Sequence, residues 1–149
     1  MVLCPIVRVS VAAMTTTMNS RLRRFLDTIA ATGKALDPDA LSRGFTDPFL
    51  AADPTGARPV PRAAFLRALP KRADAFTTAG IGAARLVSVD HQRLDDHYLL
   101  VRTEWSAPRL DGEGDVPLAS TFLLYDDGTD LRAVLYLNHQ GLPKPTAGA

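Results

Sequence analysis

The chain has 149 residues, 46% of them hydrophobic, and carries 17 basic against 16 acidic side chains. This length suits one folded domain, and the balanced charge, spread along the chain, gives no strong field that would draw the protein to nucleic acid. No apolar run approaches the roughly 20 residues that cross a bilayer, which excludes a membrane-spanning role. Since Cys4 is the only cysteine, an intramolecular disulfide is excluded as well.

Residues 1–18 allow two interpretations. They are apolar enough to suggest a secretion signal, but a proline and an arginine interrupt the run and no basic segment precedes it. The alternative is a start codon assigned too early, with Met14 or Met18 as the true beginning and the preceding residues disordered or non-native. We favour the second interpretation, and with it a cytoplasmic protein. Its domain spans residues 19–142, and a disordered tail covers residues 143–149.

Apolar periodicity predicts two helices early in the chain. Hydrophobic residues recur every three or four positions over 22–30, so we expect a helix that Ser20 caps and Gly33 ends. A short second helix follows, with Asp37 as its N-cap and a proline at its first position, and it ends by Gly44. The two helices form a compact pair.

Prolines break the chain after this pair. Residues 45–53 are interrupted by a proline and are too short for a helix. They predict an edge strand or an extended arm that enters a turn at 53–56. After a proline-rich crossing, residues 63–69 predict a third helix that Pro70 closes, with a further turn or two over 71–78.

The second half of the chain predicts antiparallel strands. Residues 85–89 and 98–106 are rich in strand-forming side chains and flank a polar turn at 93–96. In the longer strand, the residues expected on one apolar face are Leu99, Val101, Thr103 and Trp105. A loop rich in glycine and proline then leads to the last hairpin.

The last hairpin lies between residues 117 and 139. Two strand-forming runs flank Asp127 and Gly128, which can supply the two positive φ angles of a tight type I′ turn. We therefore set Asp126 opposite Thr129. This register sends an almost wholly apolar set of side chains to one face, namely Leu118, Ser120, Phe122, Leu124, Leu131, Ala133, Leu135 and Leu137.

A long hairpin with one apolar face needs a cover of helices, and the first half of the chain supplies them. We predict an α+β fold in which the N-terminal helices pack on one face of a curved antiparallel sheet. The uncovered face carries more apolar surface than a monomer usually exposes. Its apolar residues are Val87, Leu100, Leu123, Val134 and Tyr136. We therefore expect a homodimer through this exposed sheet face.

This order of elements resembles the nuclear transport factor 2-like superfamily, a cystatin-like α+β cone that includes ketosteroid isomerase, scytalone dehydratase and the SnoaL-like polyketide cyclases. The resemblance covers residues 20–140. It rests on topology and on two segments, Phe-Thr-Asp-Pro-Phe-Leu-Ala-Ala-Asp-Pro-Thr-Gly at 45–56 and Thr-Phe-Leu-Leu-Tyr-Asp-Asp-Gly at 121–128. It implies a pocket between helices and sheet, surrounded by Phe25, Ile29, Phe45, Phe49, Trp105, Phe122 and Leu135. Ordinary core packing is the alternative role for each of them.

The resemblance also implies a role for Asp53. Its segment Ala-Asp-Pro-Thr-Gly is similar to the stretch that holds the general base of ketosteroid isomerase, and desolvation at a pocket mouth can raise the pKa of a carboxylate. That enzyme also needs a tyrosine and a protonated aspartate as oxyanion donors. Those places correspond here to Phe25 and to Ser120 or Thr121, so steroid isomerase chemistry is not expected. The alternative for Asp53 is a turn residue that accepts backbone N–H groups.

The histidines are weaker candidates. His139 follows the last strand and could reach the pocket rim together with Asn138, although a surface position is the more common outcome. At the rim, a pair of His139 with Asp53 would match the acid/base pair of dehydratases in the superfamily. His91 and His97 could face each other across an aspartate-rich turn. Because that turn is expected to be solvated, we predict no metal site there. We also expect no cofactor.

Three functions stay open on the sequence alone. The leading hypothesis is a non-catalytic protein that binds a small, largely apolar molecule inside the cone. The second is a SnoaL-like cyclase, isomerase or dehydratase with Asp53 as general base and a histidine or a hydroxyl as helper. The third is a dimerisation module with a filled core. The position of Asp53 relative to a cavity separates them.

Overall fold

A seven-stranded sheet with helices on one face forms the part of the molecule that this computed structural model describes, residues 7–10, 20–31 and 37–141. The helices are α1 (Ser20–Ala30), α2 (Pro38–Arg43) and α3 (Arg62–Thr78). The strands are β1 (Val7–Ser10), β2 (Phe45–Asp53), β3 (Gly56–Val60), β4 (Arg85–Arg93), β5 (Tyr98–Pro108), β6 (Asp115–Asp126) and β7 (Leu131–Asn138). Their order across the sheet is β1-β4-β5-β6-β7-β2-β3, and only the β2–β7 pair is parallel. The predicted α+β architecture is confirmed.

The sheet has an inner face, which packs against the helices, and an outer face. On β5 the buried side chains Leu99, Val101, Thr103 and Trp105 alternate with more exposed ones, as the sequence predicts. The same alternation on β6 buries Phe122 and Leu124 completely. The alternation along β5 and along the second half of β6 therefore defines the inner face.

The predicted register of the β6–β7 hairpin is wrong by two residues at the turn. Asp126 pairs with Leu131, so the turn holds four residues. The carboxylate of Asp127 accepts the backbone N–H groups of Thr129 and Asp130, at 2.8 and 2.7 Å, which stabilises the wider turn. Among the non-glycine residues described, none has positive φ, so the type I′ turn, which needs two such residues in a row, does not form.

A bulge further along the same hairpin changes the faces. The register shifts between Leu123 and Leu124, so that Phe122 pairs with Tyr136 and Leu123 pairs with Leu135. Because one extra residue reverses the alternation, Tyr136 lies on the inner face beside Phe122. Leu135 lies on the outer face, and its predicted place around the pocket is wrong.

The first two helices follow their sequence signals. α1 begins at Ser20 and buries Leu22, Phe25 and Leu26 of the predicted apolar stripe. Asp37 caps α2, and its carboxylate accepts the N–H of Ala40 at 3.2 Å. The expected stop of α1 at Gly33 lies outside the described residues. None of the helices in the described ranges is long and apolar enough to cross a bilayer.

The third helix is longer than predicted, because Pro70 lies inside it and does not close it. A proline in a helix interior costs about 3 kcal/mol through its missing N–H and its ring. Tertiary packing offsets this cost, since Phe65 and Leu69 before the proline and Phe76 after it all face the same interior space. Pro70 itself is exposed.

The strand β2 is confirmed as an extended segment, but it is not at the sheet edge. Residues Gly56–Val60, expected as part of a proline-rich crossing, form β3 instead and pair with β2. β3 occupies the edge, where a proline such as Pro59 is tolerated because the outer side of an edge strand needs no ladder hydrogen bond. The turn between them holds the predicted Asp53 to Gly56.

The chain termini are described only in part. Within residues 1–18, for which disorder or a misassigned start is expected, the structure places Val7–Ser10 in the sheet as β1, antiparallel to β4. The other residues of that segment lie outside the described residues, and so does the expected tail at 143–149.

Aromatic side chains join the helices to the sheet. Phe25 of α1 meets Phe122 of β6 edge-on, with ring centroids 5.2 Å apart. Phe45 of β2 contacts Phe49 and Phe65, at 4.8 and 4.9 Å. Such pairs add about 0.5–1.5 kcal/mol each to the burial of apolar area. This cluster fixes the distance between the helix layer and the sheet.

Asp126 connects the first helix to the sheet through charge. Its side chain is 7% exposed, and Oδ2 accepts hydrogen bonds from Nη2 of Arg21 at 2.9 Å and from Nη2 of Arg93 at 3.0 Å. The backbone N–H of Gly128 donates to Oδ1 at 2.9 Å. The Arg21 hydrogen bond outweighs desolvation and holds the pKa of Asp126 far below its ordinary value. One carboxylate thus ties together α1, β4 and the β6–β7 turn.

Replacing Asp126 by Asn should destabilise the fold by about 1.5–3 kcal/mol, because the two guanidinium groups then face a neutral amide in place of a carboxylate. The pKa of Asp126 is lower in the folded than in the unfolded state, so the folded state binds fewer protons. Its stabilisation is therefore complete above about pH 4 and is lost as the pH falls further. Urea unfolding at neutral and at acid pH measures both effects.

The control for this experiment is Asp74→Asn, on the exposed side of α3. It should leave the free energy of unfolding within about 0.5 kcal/mol of the wild-type value. An equal loss of unfolding free energy in both variants would contradict the role of Asp126. A loss in D126N that is as large at acid pH as at neutral pH would contradict it as well.

Candidate ligand-binding cavity

A cavity of about 210 Å³ lies between the helices and the inner face of the sheet. Its described lining comes from all three helices, from the segment after α3, and from β2, β5, β6 and β7. The lining residues are Ile29, Ala30, Leu41, Phe45, Phe65, Leu69, Arg72, Ala73, Phe76, Thr77, Ile81, Gly82, Ala83, Ala84, Trp105, Leu118, Ser120, Tyr136 and Asn138. Most of these side chains are apolar, and a few are polar.

Helical periodicity explains the wall that α3 forms. Its lining residues recur at intervals of three and four positions, from Phe65 to Thr77. This stripe continues past Pro70 in the same direction, so Arg72 and Phe76 face the same space as Leu69. A helix closed at Pro70 would have left this side of the cavity open.

Arg72 lies over the aromatic floor of the cavity. Its Nη2 donates a hydrogen bond to the hydroxyl of Tyr136 at 3.0 Å. Its Cζ lies 5.4 Å from the ring centroid of Tyr136 and 5.8 Å from that of Phe65, within the range of cation–π attraction. The ring of Tyr136 in turn stacks on Phe122, with centroids 4.9 Å apart. The guanidinium is therefore held in one place before any ligand arrives.

Ser120 and Asn138 form the second polar part of the lining. They pair across β6 and β7, one step along the inner face from Phe122 and Tyr136, which is about 7 Å. Within the described residues, neither the Ser120 hydroxyl nor the Asn138 amide has a side-chain hydrogen-bond partner. Both groups are therefore available to a molecule in the cavity.

Trp105 lies beside this pair with its polar atom already bonded. Its Nε1 donates to the hydroxyl of Thr103 at 2.7 Å, and that hydroxyl donates to the backbone oxygen of Ser120 at 3.0 Å. The indole is 8% exposed and presents an apolar surface to the cavity. Trp105 is also the only tryptophan in the sequence.

The seven residues expected around the pocket fall into three groups. Ile29, Phe45 and Trp105 line the cavity. Phe25, Phe49 and Phe122 are buried in the adjoining core, and they support the lining without forming it. Leu135 lies on the outer face because of the bulge in the β6–β7 hairpin.

Asp53 lies at the end of β2 and outside the described lining of the cavity. Its Oδ1 accepts the backbone N–H of Thr55 at 2.8 Å and also the Thr55 hydroxyl, and Arg58 lies 4.0 Å from Oδ2. The hydrogen bond from the Thr55 side chain is the largest cause that lowers the pKa of Asp53. A general base in a pocket needs the opposite shift. Asp53 therefore has the geometry of a turn residue, which is the alternative to a catalytic role that the sequence left open.

His139 lies on the outer face and does not line the cavity, although Asn138 beside it does. Its Nε2 is 2.7 Å from the hydroxyl of Thr121. Burial lowers the pKa of His139, and the charge of Arg102 lowers it further. The expectation that His139 reaches the pocket rim is wrong, because one step along a strand reverses the face.

The other two histidines do not face each other. His91 pairs with Val101, and burial lowers the pKa of its imidazole. His97 lies in the β4–β5 turn, with its ring 6.3 Å from that of Tyr125. In the described part of the chain, no three His, Cys, Asp or Glu side chains are grouped as a metal site would require.

Of the polar lining residues, Asn138 was expected at the pocket rim, Arg72 was not expected there, and Tyr136 was wrongly expected on the outer face. A signal for Arg72 was present, because the apolar stripe of the third helix continues at the same spacing beyond Pro70. Tyr136 and Asn138 reach the cavity only through the bulge, for which a single sequence gives no clear signal.

Comparison with known proteins gives solved structures only. No family model matches the sequence, and no curated protein matches it. A protein of unknown function with a cystatin-like fold from Nostoc punctiforme superposes with a TM-score of 0.64 at 7% identity, over 83% of this chain and 92% of that one. An NTF-2-like protein of unknown function from Shewanella oneidensis gives 0.62 at 13% identity, over 81% and 98%.

A ketosteroid isomerase-like protein from Erwinia carotovora atroseptica superposes with a TM-score of 0.51 at 16% identity, over 87% of this chain and 98% of that one. Identities this low establish the fold and not an activity. The chain therefore shares the cystatin-like fold of these solved structures, which is the fold that the resemblance in its sequence implies.

Proposed function

We propose that this protein binds a small, largely apolar molecule in the cavity between the helices and the sheet. The observation that carries the proposal is a cavity of about 210 Å³ whose aromatic and aliphatic lining includes a few polar side chains without a hydrogen-bond partner among the described residues. Ligand sites in proteins usually combine these two features. A dimerisation module with a filled core would have no such space.

The volume limits the size of the ligand. An apolar cavity of about 150 Å³ accommodates benzene, whereas pockets for drug-sized molecules span about 300–1,000 Å³. The value of about 210 Å³ therefore favours a single aromatic ring with a short substituent, or a short alkyl chain. A steroid is too large for the cavity unless the helices move.

The enzyme alternative has less support. The described lining contains no aspartate, glutamate or histidine, so no ordinary general base faces the cavity. Asp53, the base that the sequence resemblance implies, is bonded to Thr55 in its turn. Binding without chemistry is the simpler function for this set of side chains.

A neutral single-ring compound tests the proposal directly. Benzyl alcohol should change the fluorescence of Trp105 in a saturable way, because the only tryptophan lines the cavity. The variant Ala73→Leu, which adds volume to the lining, should weaken binding by about tenfold. A fluorescence titration with excitation at the red edge of tryptophan absorption measures both.

The matched control is Ala63→Leu, an exposed alanine on the same helix that does not line the cavity. It should bind as the wild type does. The binding proposal fails if no single-ring or short-chain compound perturbs Trp105 up to its solubility limit, or if both leucine variants weaken binding equally.

The protonation of Asp53 separates binding from the enzyme alternative. We expect the Asp53 carboxyl to titrate below the ordinary aspartate value, because it accepts two hydrogen bonds from Thr55. The variant Thr55→Ala removes the hydroxyl and should raise this pKa back towards the ordinary value. Carbon-detected NMR of the side-chain carboxyl over an acid titration measures the midpoint in both proteins. A wild-type midpoint above the ordinary value would restore Asp53 as a candidate base.

We also propose that two copies of the chain associate through the outer face. Four leucines stand in one row across adjacent strands of this face, Leu100, Leu123, Leu135 and Leu50. The described helices all lie on the opposite face, and Leu50 is 38% exposed. A row of identical aliphatic side chains is self-complementary about a two-fold axis, which is the commonest symmetry of homodimers. These observations support a second copy as the partner of this surface.

A charge placed in this row should oppose association. We expect the wild-type protein to elute at twice the chain mass in size-exclusion chromatography with light scattering. Leu50→Lys should move the monomer–dimer midpoint to a concentration at least about tenfold higher. Leu110→Lys is the control, because Leu110 is 59% exposed and lies in the β5–β6 loop. A wild-type monomer at high concentration would rule out the interface.

A further inference from the structure

Arg72 is the one charged side chain in the described lining of the cavity. A guanidinium has five N–H donors and never loses its charge in proteins. Only one donor is used, in the hydrogen bond from Nη2 to the hydroxyl of Tyr136. The other four have no acceptor among the residues that the structure describes.

Arg72 also lacks a counter-charge. None of the ion pairs formed within the described ranges includes it, and neither aspartate nor glutamate occurs in the described lining. A half-buried charge beside apolar walls is costly unless it is paired. The aromatic rings of Phe65 and Tyr136 offset part of this cost, but they provide no hydrogen-bond acceptor in their faces.

We propose that the ligand is a small aryl- or alkyl-carboxylic acid whose carboxylate is held by the guanidinium of Arg72. This inference rests on the proposed function and names the ligand class of the same cavity. The apolar body of the ligand lies against Phe65, Phe76 and Trp105, which line the same space. The carboxylate supplies both the charge and the acceptors that Arg72 lacks.

The chemistry of the site favours a carboxylate over other anions. The planar fork of a guanidinium matches the two oxygens of a carboxylate in a bidentate pair. A phosphate group carries about 1.5–2 negative charges near neutral pH. The single cation of the described lining would leave part of that charge unpaired in an apolar cavity. One carboxylate is neutralised completely.

Benzoate and its neutral analogues test this proposal on the wild-type protein. Benzoate should bind at least about tenfold more tightly than benzamide or benzyl alcohol at neutral pH, because only benzoate forms a charge-assisted pair. The Trp105 titration reports all three compounds. Isothermal titration calorimetry gives an independent affinity. This comparison does not depend on any variant folding correctly.

Substitutions of Arg72 then assign the preference to its charge. Arg72→Met keeps an unbranched side chain over the rings and should abolish the preference for benzoate while binding of benzyl alcohol is retained. Arg72→Lys keeps the charge but not the fork, so an intermediate preference is expected. Arg67→Met removes one positive charge from an exposed position of α3 and should bind benzoate as the wild type does.

The outcomes separate the two proposals. Equal affinity for benzoate and its neutral analogues overturns the carboxylate inference and leaves the binding function in place. A preference for benzoate that survives in Arg72→Met overturns the role of Arg72. If none of the three compounds binds, and hexanoate also fails, both the inference and the proposed function are wrong.

Discussion

Side chains alternate between the two faces of a strand, so one extra residue in β7 exchanges the faces of everything that follows it. The bulge opposite Leu123 and Leu124 has this effect. It places Tyr136 and Asn138 on the inner face, where they line the cavity. It also sends Leu135 outward, where it completes the row of leucines on the outer face. Two polar groups of the cavity, Tyr136 and Asn138, and the row of leucines on the outer face therefore depend on the same irregularity.

Most of the fold is readable from local patterns, and the exceptions have physical causes. The cap at Asp37 and the alternation from Leu99 to Trp105 are short-range signals, and the structure follows them. Pro70 and Pro59 mislead, because packing of a helix face and the position of an edge strand override the usual meaning of proline. The bulge depends on pairing between two distant strands, so the inner position of Tyr136 could not be predicted.

Packing changes along the length of β6. At its C-terminal end, Asp126 is bonded to two arginines, and next to it Leu124 and Phe122 are completely buried. Two residues further back, Ser120 faces open space. The dense end fixes the position of α1 against the sheet, and the open end is lined by α3 and the segment after it. The same strand thus contributes buried core residues at one end and a polar lining residue of the cavity at the other.

Two charged side chains near these two ends, Asp126 and Arg72, differ in whether they have a partner of opposite charge. Asp126 is nearly buried and has two cationic partners, so its charge is neutralised within the chain. Arg72 lies over aromatic rings and has no anionic partner among the described residues. Burial of an unpaired charge is unfavourable, and proteins usually pair such groups internally. Because the described residues pair the buried Asp126 and leave the half-buried Arg72 facing a cavity without an anion, we expect a ligand to supply the partner of Arg72.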